Sequence, residues 1–172
     1  MKIIRLALGT ILVLAAAGAA AQTPNDAQIA SIVVTANQVD IDAGKLAAKN
    51  GHARDVKAFG KQMVTDHTGV NKQAVALVKK LKVTPEDNPT SQSLQSGGEE
   101  NVKMLKGLKG ASFDKAYIDH EVAYHEQVID ALDKTLIPNA QNGDLKALLV
   151  AVRPAFVGHL EHAKMIQSSL AK

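Results

Sequence analysis

After residue 25 the apolar positions recur at steps of three and four instead of alternating, which is the spacing of one face of an α-helix. Four stretches carry such a stripe. The first opens at the cap-and-proline pair Thr23-Pro24, faces Ile29, Ile32, Ala36, Val39, Ala43 and Leu46 inward, and stops at Asn50-Gly51. The second follows a very short turn with Val56, Phe59, Met63, Val70, Ala74, Leu77 and Leu81, and ends before Pro85. The third opens at Ser112 and runs through Tyr117, Glu121, Tyr124, Val128 and Leu132 to Leu136, just before Pro138. The fourth carries Leu145, Leu149, Val152, Phe156, Ala163, Ile166 and Leu170, and contains Pro154, which should bend it or split off its first turns.

Residues 83–111, rich in Thr, Ser, Gln, Gly and Pro, break this periodicity, with room for one short helix from Glu99 to Leu108. They read as a long crossover. Two antiparallel hairpins joined in this way make the ferritin-like version of a four-helix bundle, so the expected class is all-α.

The opening residues have a different character. Lys2 and Arg5 precede an apolar run from Leu6 to Ala17, and Ala19-x-Ala21 ends it, which is the layout of a secretory signal peptide spanning residues 1–21. The run is shorter than the ~20 residues that cross a bilayer, and no later stretch approaches that length. Residues 22–172 are then expected to form one periplasmic or secreted domain. Without cysteine, that domain has neither disulfides nor a thiol-linked lipid anchor.

Charge adds little. The sequence pI near 9.1 points to a nucleic-acid or membrane partner only until Lys2 and Arg5 are discounted, which leaves basic and acidic residues almost balanced. The chain also lacks an internal repeat and a glycine-rich phosphate loop, so no nucleotide or nucleic-acid partner is expected.

The chemistry lies in polar residues that occupy core-facing positions, where burial costs several kcal/mol unless they are paired or ligated. His159 sits in the fourth stripe, between Phe156 and Ala163. Asp66 and His67 straddle the centre of the second. Glu121 and His125 lie beside Val128 and Leu132 on the third, and Asp40 continues the line of Val33, Ala36 and Ala43 on the first, with Asp42 as its alternative. All six fall near mid-helix, so antiparallel packing gathers them into one layer. His52, His120 and His162 read as surface or rim residues, while Tyr117 and Tyr124 read as core.

Neutral imidazoles and carboxylates converging from four helices suit one transition-metal ion such as zinc, copper, nickel or iron. Taken singly, each residue is more simply a hydrogen-bonded core group. The whole layer has a matching alternative, in which it only fixes helix register in a structural or interaction module of the cell envelope.

The segments VDIDAGKLAAKN, VKAFGKQMVTDHT, FDKAYIDHEVAYHEQVI and FVGHLEHAKMI resemble a bacterial envelope family, domain of unknown function 4142, over nearly the whole chain after residue 21. The resemblance implies a ferritin-like fold, and members are often labelled outer-membrane proteins. It maps the family's acid in helix one, DH in helix two and histidines in helices three and four onto Asp40 or Asp42, Asp66-His67, His125 and His159. It implies no activity. The Glu-x-x-His pairs of two-iron ferritin-like proteins are missing, Glu121 and His125 being four apart, which argues against iron storage, a two-iron oxidase and enzymatic function in general.

Overall fold

The computed structural model describes residues 23–171, so the expected signal peptide, residues 1–21, lies outside the described residues. The chain is all-helical. Its elements are α1 (Asp26–Asn50), α2 (Arg54–Leu81), α3 (Pro89–Lys106), α4 (Gly110–Ala131), the single turn α5 (Ile137–Asn139) and α6 (Gly143–Leu170), with no strand among the described residues.

Asparagine starts three of the long helices. The side chains of Asn25, Asn88 and Asn142 accept hydrogen bonds from first-turn N–H groups of α1, α3 and α6, which would otherwise lack partners. The α1 cap is therefore Asn25, two residues after the expected cap Thr23. The turn before α2 is held from a distance, since the Asp114 carboxylate on α4 accepts from His52 N at 2.7 Å and Ala53 N at 2.6 Å. Asp26 does the same for the turn before α6, accepting from the N–H groups of Gln141 and Asn142, both at 2.9 Å.

α1 packs on α2, α2 on α6, α6 on α4 and α4 on α1, while α3 lies along the outer side of α1. The α1–α2 contact is built on small residues. A Cβ at Gly60 would meet Ala48 N at 2.7 Å and Gly44 O at 2.8 Å, so the two backbones nearly touch. At the α1–α3 contact, Gly98 makes room for Val39, whose Cγ2 would stand 2.6 Å from a Cβ there.

Three elements differ from the reading of the sequence. The connection holds a full helix, α3, which Asn88 caps and Pro89 starts, where only a short helix from Glu99 was expected. The third helix does not stop at Leu136. It widens into a π turn, Leu132–Leu136, with Ile137 N–H bonded to Leu132 O, and continues through α5. Pro138 has no N–H to give and its ring crowds the carbonyl four residues earlier, and the wider turn relieves both. Pro154 does not split α6, which is continuous from Gly143 to Leu170. The carbonyl left without its helical donor belongs to Val150, which is exposed and can turn to water.

The interior consists of two apolar clusters. One gathers Ile29, Ile32, Val33, Leu132, Leu149 and Phe156 at the end where α1 and α6 begin, and the other gathers Ala47, Phe59, Met63, Phe113, Tyr117 and Ala163 at the opposite end. Buried Asn37, Asp40, His67, Glu121, His125 and His159 lie between them.

The glycine contacts predict opposite outcomes for two alanine substitutions on α2. Gly60→Ala should lower the unfolding free energy by about 1–3 kcal/mol, because the helices must separate. Gly69→Ala, whose Cβ meets nothing within 4 Å, should raise it by up to ~1 kcal/mol through helix propensity. Urea melts of both variants check this, and equal effects would contradict the close approach.

Candidate metal centre

Five of the six polar residues singled out in the sequence lie fully buried, and at helix one the choice falls on Asp40, which is 2% exposed, while Asp42 sits at the surface paired with Lys45. Single ligand atoms of His67, His125 and His159 lie within 4.8 Å of one another, and so do those of Asp40, Glu121 and His125. The two groups share His125. Asp66 belongs to neither, and its side chain is 40% exposed.

The hydrogen bonds fix which nitrogen each imidazole presents. Asn37 Nδ2 donates to Val33 O at 2.7 Å, which turns Oδ1 towards His67 Nδ1, also at 2.7 Å. An amide oxygen only accepts, so His67 carries its proton on Nδ1. His125 Nδ1 lies 3.0 Å from the backbone oxygen of Glu121, another pure acceptor, with the same result. At His159 the roles reverse, because Nε2 donates to Asp66 Oδ2 at 3.0 Å. What remains is Nε2 of His67, Nε2 of His125 and Nδ1 of His159, and these three buried nitrogens have no hydrogen-bond partner among the described residues.

Asp40 faces two of them. Its Oδ2 is 3.1 Å from His67 Nε2 and 3.7 Å from His125 Nε2, an approach of electron pairs that needs a proton or a cation between them. Burial pushes the Asp40 carboxyl from its ordinary 3.8 up to about 7, against the opposing pull of Glu121. Glu121 is raised well above the usual carboxyl range, first by burial and then by the neighbouring Asp40. Burial, with the other imidazoles adding, lowers His67, and it brings His125 down to about 4, so these rings stay neutral inside. His159 is also lowered by burial, in spite of its bond to Asp66.

Aromatic side chains close the layer. Phe156 stacks on His67 with ring centres 5.1 Å apart, and Tyr124 meets His125 edge-on at 6.1 Å while its hydroxyl donates to Ala36 O. Both tyrosines are buried, as their stripe positions imply. His120 is not a plain rim residue, since it stacks on Tyr124 and its Nδ1 is buried, whereas His162 Nδ1 pairs with Gln62 near the surface. The residue that the sequence reading missed is Asn37. It lies four after Val33 on the α1 stripe, so the search for polar residues in apolar positions would also have picked it.

Fold and site together define an all-helical protein whose buried histidines and carboxylates could hold a metal ion. The chain belongs to the family described as a domain of unknown function, DUF4142, which it matches over residues 12–166. No curated protein and no solved structure matches it. No helix among the described residues is long and apolar enough to cross a membrane.

The raised Asp40 carboxyl sets a pH dependence for the metal-free chain. Below 3.8 the group is protonated whether folded or not; between 3.8 and about 7 only the unfolded chain gives up the proton, so the fold loses stability as pH rises. Asp40→Asn cannot ionise. Its stability relative to the parent should therefore climb from pH 4 to pH 7 and then level off, as followed by urea melts in chelator. A falling difference would mean that the folded protein holds Asp40 as the anion.

Proposed function

We propose that this protein is an exported, ferritin-like four-helix-bundle protein that binds one transition-metal ion, zinc, copper, nickel or iron, in metal handling or stress protection. Nε2 of His67, Nε2 of His125, Nδ1 of His159 and a carboxylate oxygen of Asp40 are the ligands. Asn37 and Asp66 orient the rings, and Glu121 is the acid that supports Asp40 and His125.

One observation carries this reading. Each of three imidazoles has one nitrogen bonded to an acceptor, Asn37 Oδ1, Glu121 O or Asp66 Oδ2, and the other bare, and the three rings lie close enough for one ligand atom of each to fall within 4.8 Å of the others. Outer partners of this kind fix the tautomer of metal-bound histidines. Three nitrogens and one or two acids suit a single ion of borderline softness, while two bridged irons need more carboxylates than the layer contains. Export rests on the composition of residues 1–21.

A second reading has its own support, because a proton held on Asp40 could satisfy His67 Nε2 without any metal. The layer would then fix register alone. Titration of the chelator-treated protein with zinc or cobalt separates the two. The metal reading expects a 1:1 complex, a higher melting temperature, and proton release at pH 6 as Asp40 gives up its proton, read by calorimetry in buffers of different ionisation enthalpy. Asn37→Ala should weaken binding by about 10–100-fold. Absence of uptake, with His125→Leu and His159→Leu folded and more stable than the parent, would leave the register reading in its place.

A further inference from the structure

Beside the polar layer lies a second feature that the metal reading does not use, a cavity of about 210 Å³ bounded by α1, α3, α4, the π turn and α6. Its walls are almost entirely apolar, with Ile32, Val128, Leu132, Leu136, Leu149 and Val152 among them. The polar groups that reach it are already engaged. The Tyr124 hydroxyl donates to Ala36 O, and Asn37 is bonded on one side to Val33 O and on the other to His67. Thr90 and Gln127 are exposed and mark the mouth. Water needs two to four polar partners to stay in such a space, whereas an engineered apolar cavity of about 150 Å³ in another protein remains dry and takes up benzene or xenon.

The position of the cavity gives it meaning. Asn37, Tyr124 and Phe156 line it, and the same three side chains line the narrow gap against Asp40, His67 and His125. The wall between cavity and imidazoles is one side chain thick. The π turn contributes Leu132 and Leu136 to the lining, so the local widening at the end of α4 shapes this space.

We propose that this cavity is a binding chamber for a small, uncharged, apolar molecule, no larger than a single substituted aromatic ring, held against the imidazole layer. Its adjacency to a bound ion rests on the metal reading above; its capacity for an apolar guest does not. Charged or strongly hydrated reactants are excluded from this route, because nothing inside replaces their water.

Xenon and toluene are the probes. Crystals of the protein under xenon pressure should show a xenon site between Leu132 and Leu149, and toluene should bind saturably in solution with shifts confined to the methyl groups of the chamber. Ala131→Phe, which projects a ring into the space from α4, should weaken toluene binding by about tenfold or more and leave zinc affinity unchanged. Cobalt in the imidazole layer should relax bound toluene protons that zinc leaves alone. Metal uptake with no xenon site and no saturable toluene binding overturns the chamber and spares the metal reading. Toluene binding without metal uptake does the reverse. Should Ala131→Phe fail to fold, the xenon site in the unmodified chain decides alone.

Discussion

A nitrogen or oxygen removed from water without a new partner costs several kcal/mol, and the centre of this molecule is organised around that cost. Asp40, His67, Glu121, His125 and His159 are all buried, and each keeps at least one polar atom that no other group satisfies among the described residues. The remaining polar atoms are treated with care. Asn37, the Glu121 backbone and Asp66 each take one imidazole proton, and Asn37 is itself held by Val33 O. The imidazoles are thus oriented on their outer sides and left bare on their inner ones. Random polar contamination of a core would not divide the atoms so consistently, and an electron-pair acceptor at the centre accounts for the division in a single step.

Helix spacing makes the layer possible. Gly44 and Gly60 bring α1 and α2 to near backbone contact, one turn from Asp40 and two from His67, and that approach lets a side chain as short as aspartate reach across. Asp114 and Asp26 hold the turns at opposite ends of α1 and so fix its position along its length. Register and spacing of α1 are set by different residues, none of which belongs to the layer itself.

Much of the site could be read from periodicity. A polar residue that interrupts a three-and-four stripe must face the core whatever its chemistry, and this located Asp40, His67, Glu121, His125 and His159 without reference to their partners. The family resemblance left Asp40 and Asp42 as alternatives, but positions two apart lie about 200° round a helix, so stripe geometry favours Asp40 and burial agrees. Asp66 illustrates the reverse limit, since of two residues straddling the stripe's centre only His67 is buried, while Asp66 touches the layer through one atom and stays partly exposed. α3 escaped the pattern because its Ser, Gln and Gly residues carry almost no apolar stripe, although the Asn88-Pro89 start was there to be seen. The π turn could not be anticipated either. Proline ordinarily ends a helix, and only the third dimension shows that a wider turn costs less here than stopping.

The division of the apolar interior into two clusters has a consequence for how the molecule holds together. Leu and Phe residues on one side of the layer share few contacts with those on the other, so the two ends are joined chiefly by the helices that run through both. A core cut in this way resembles an arch of two halves. Whatever sits between the halves, be it a shared proton or an ion, adds a link between them beside the through-running helices, as a keystone does.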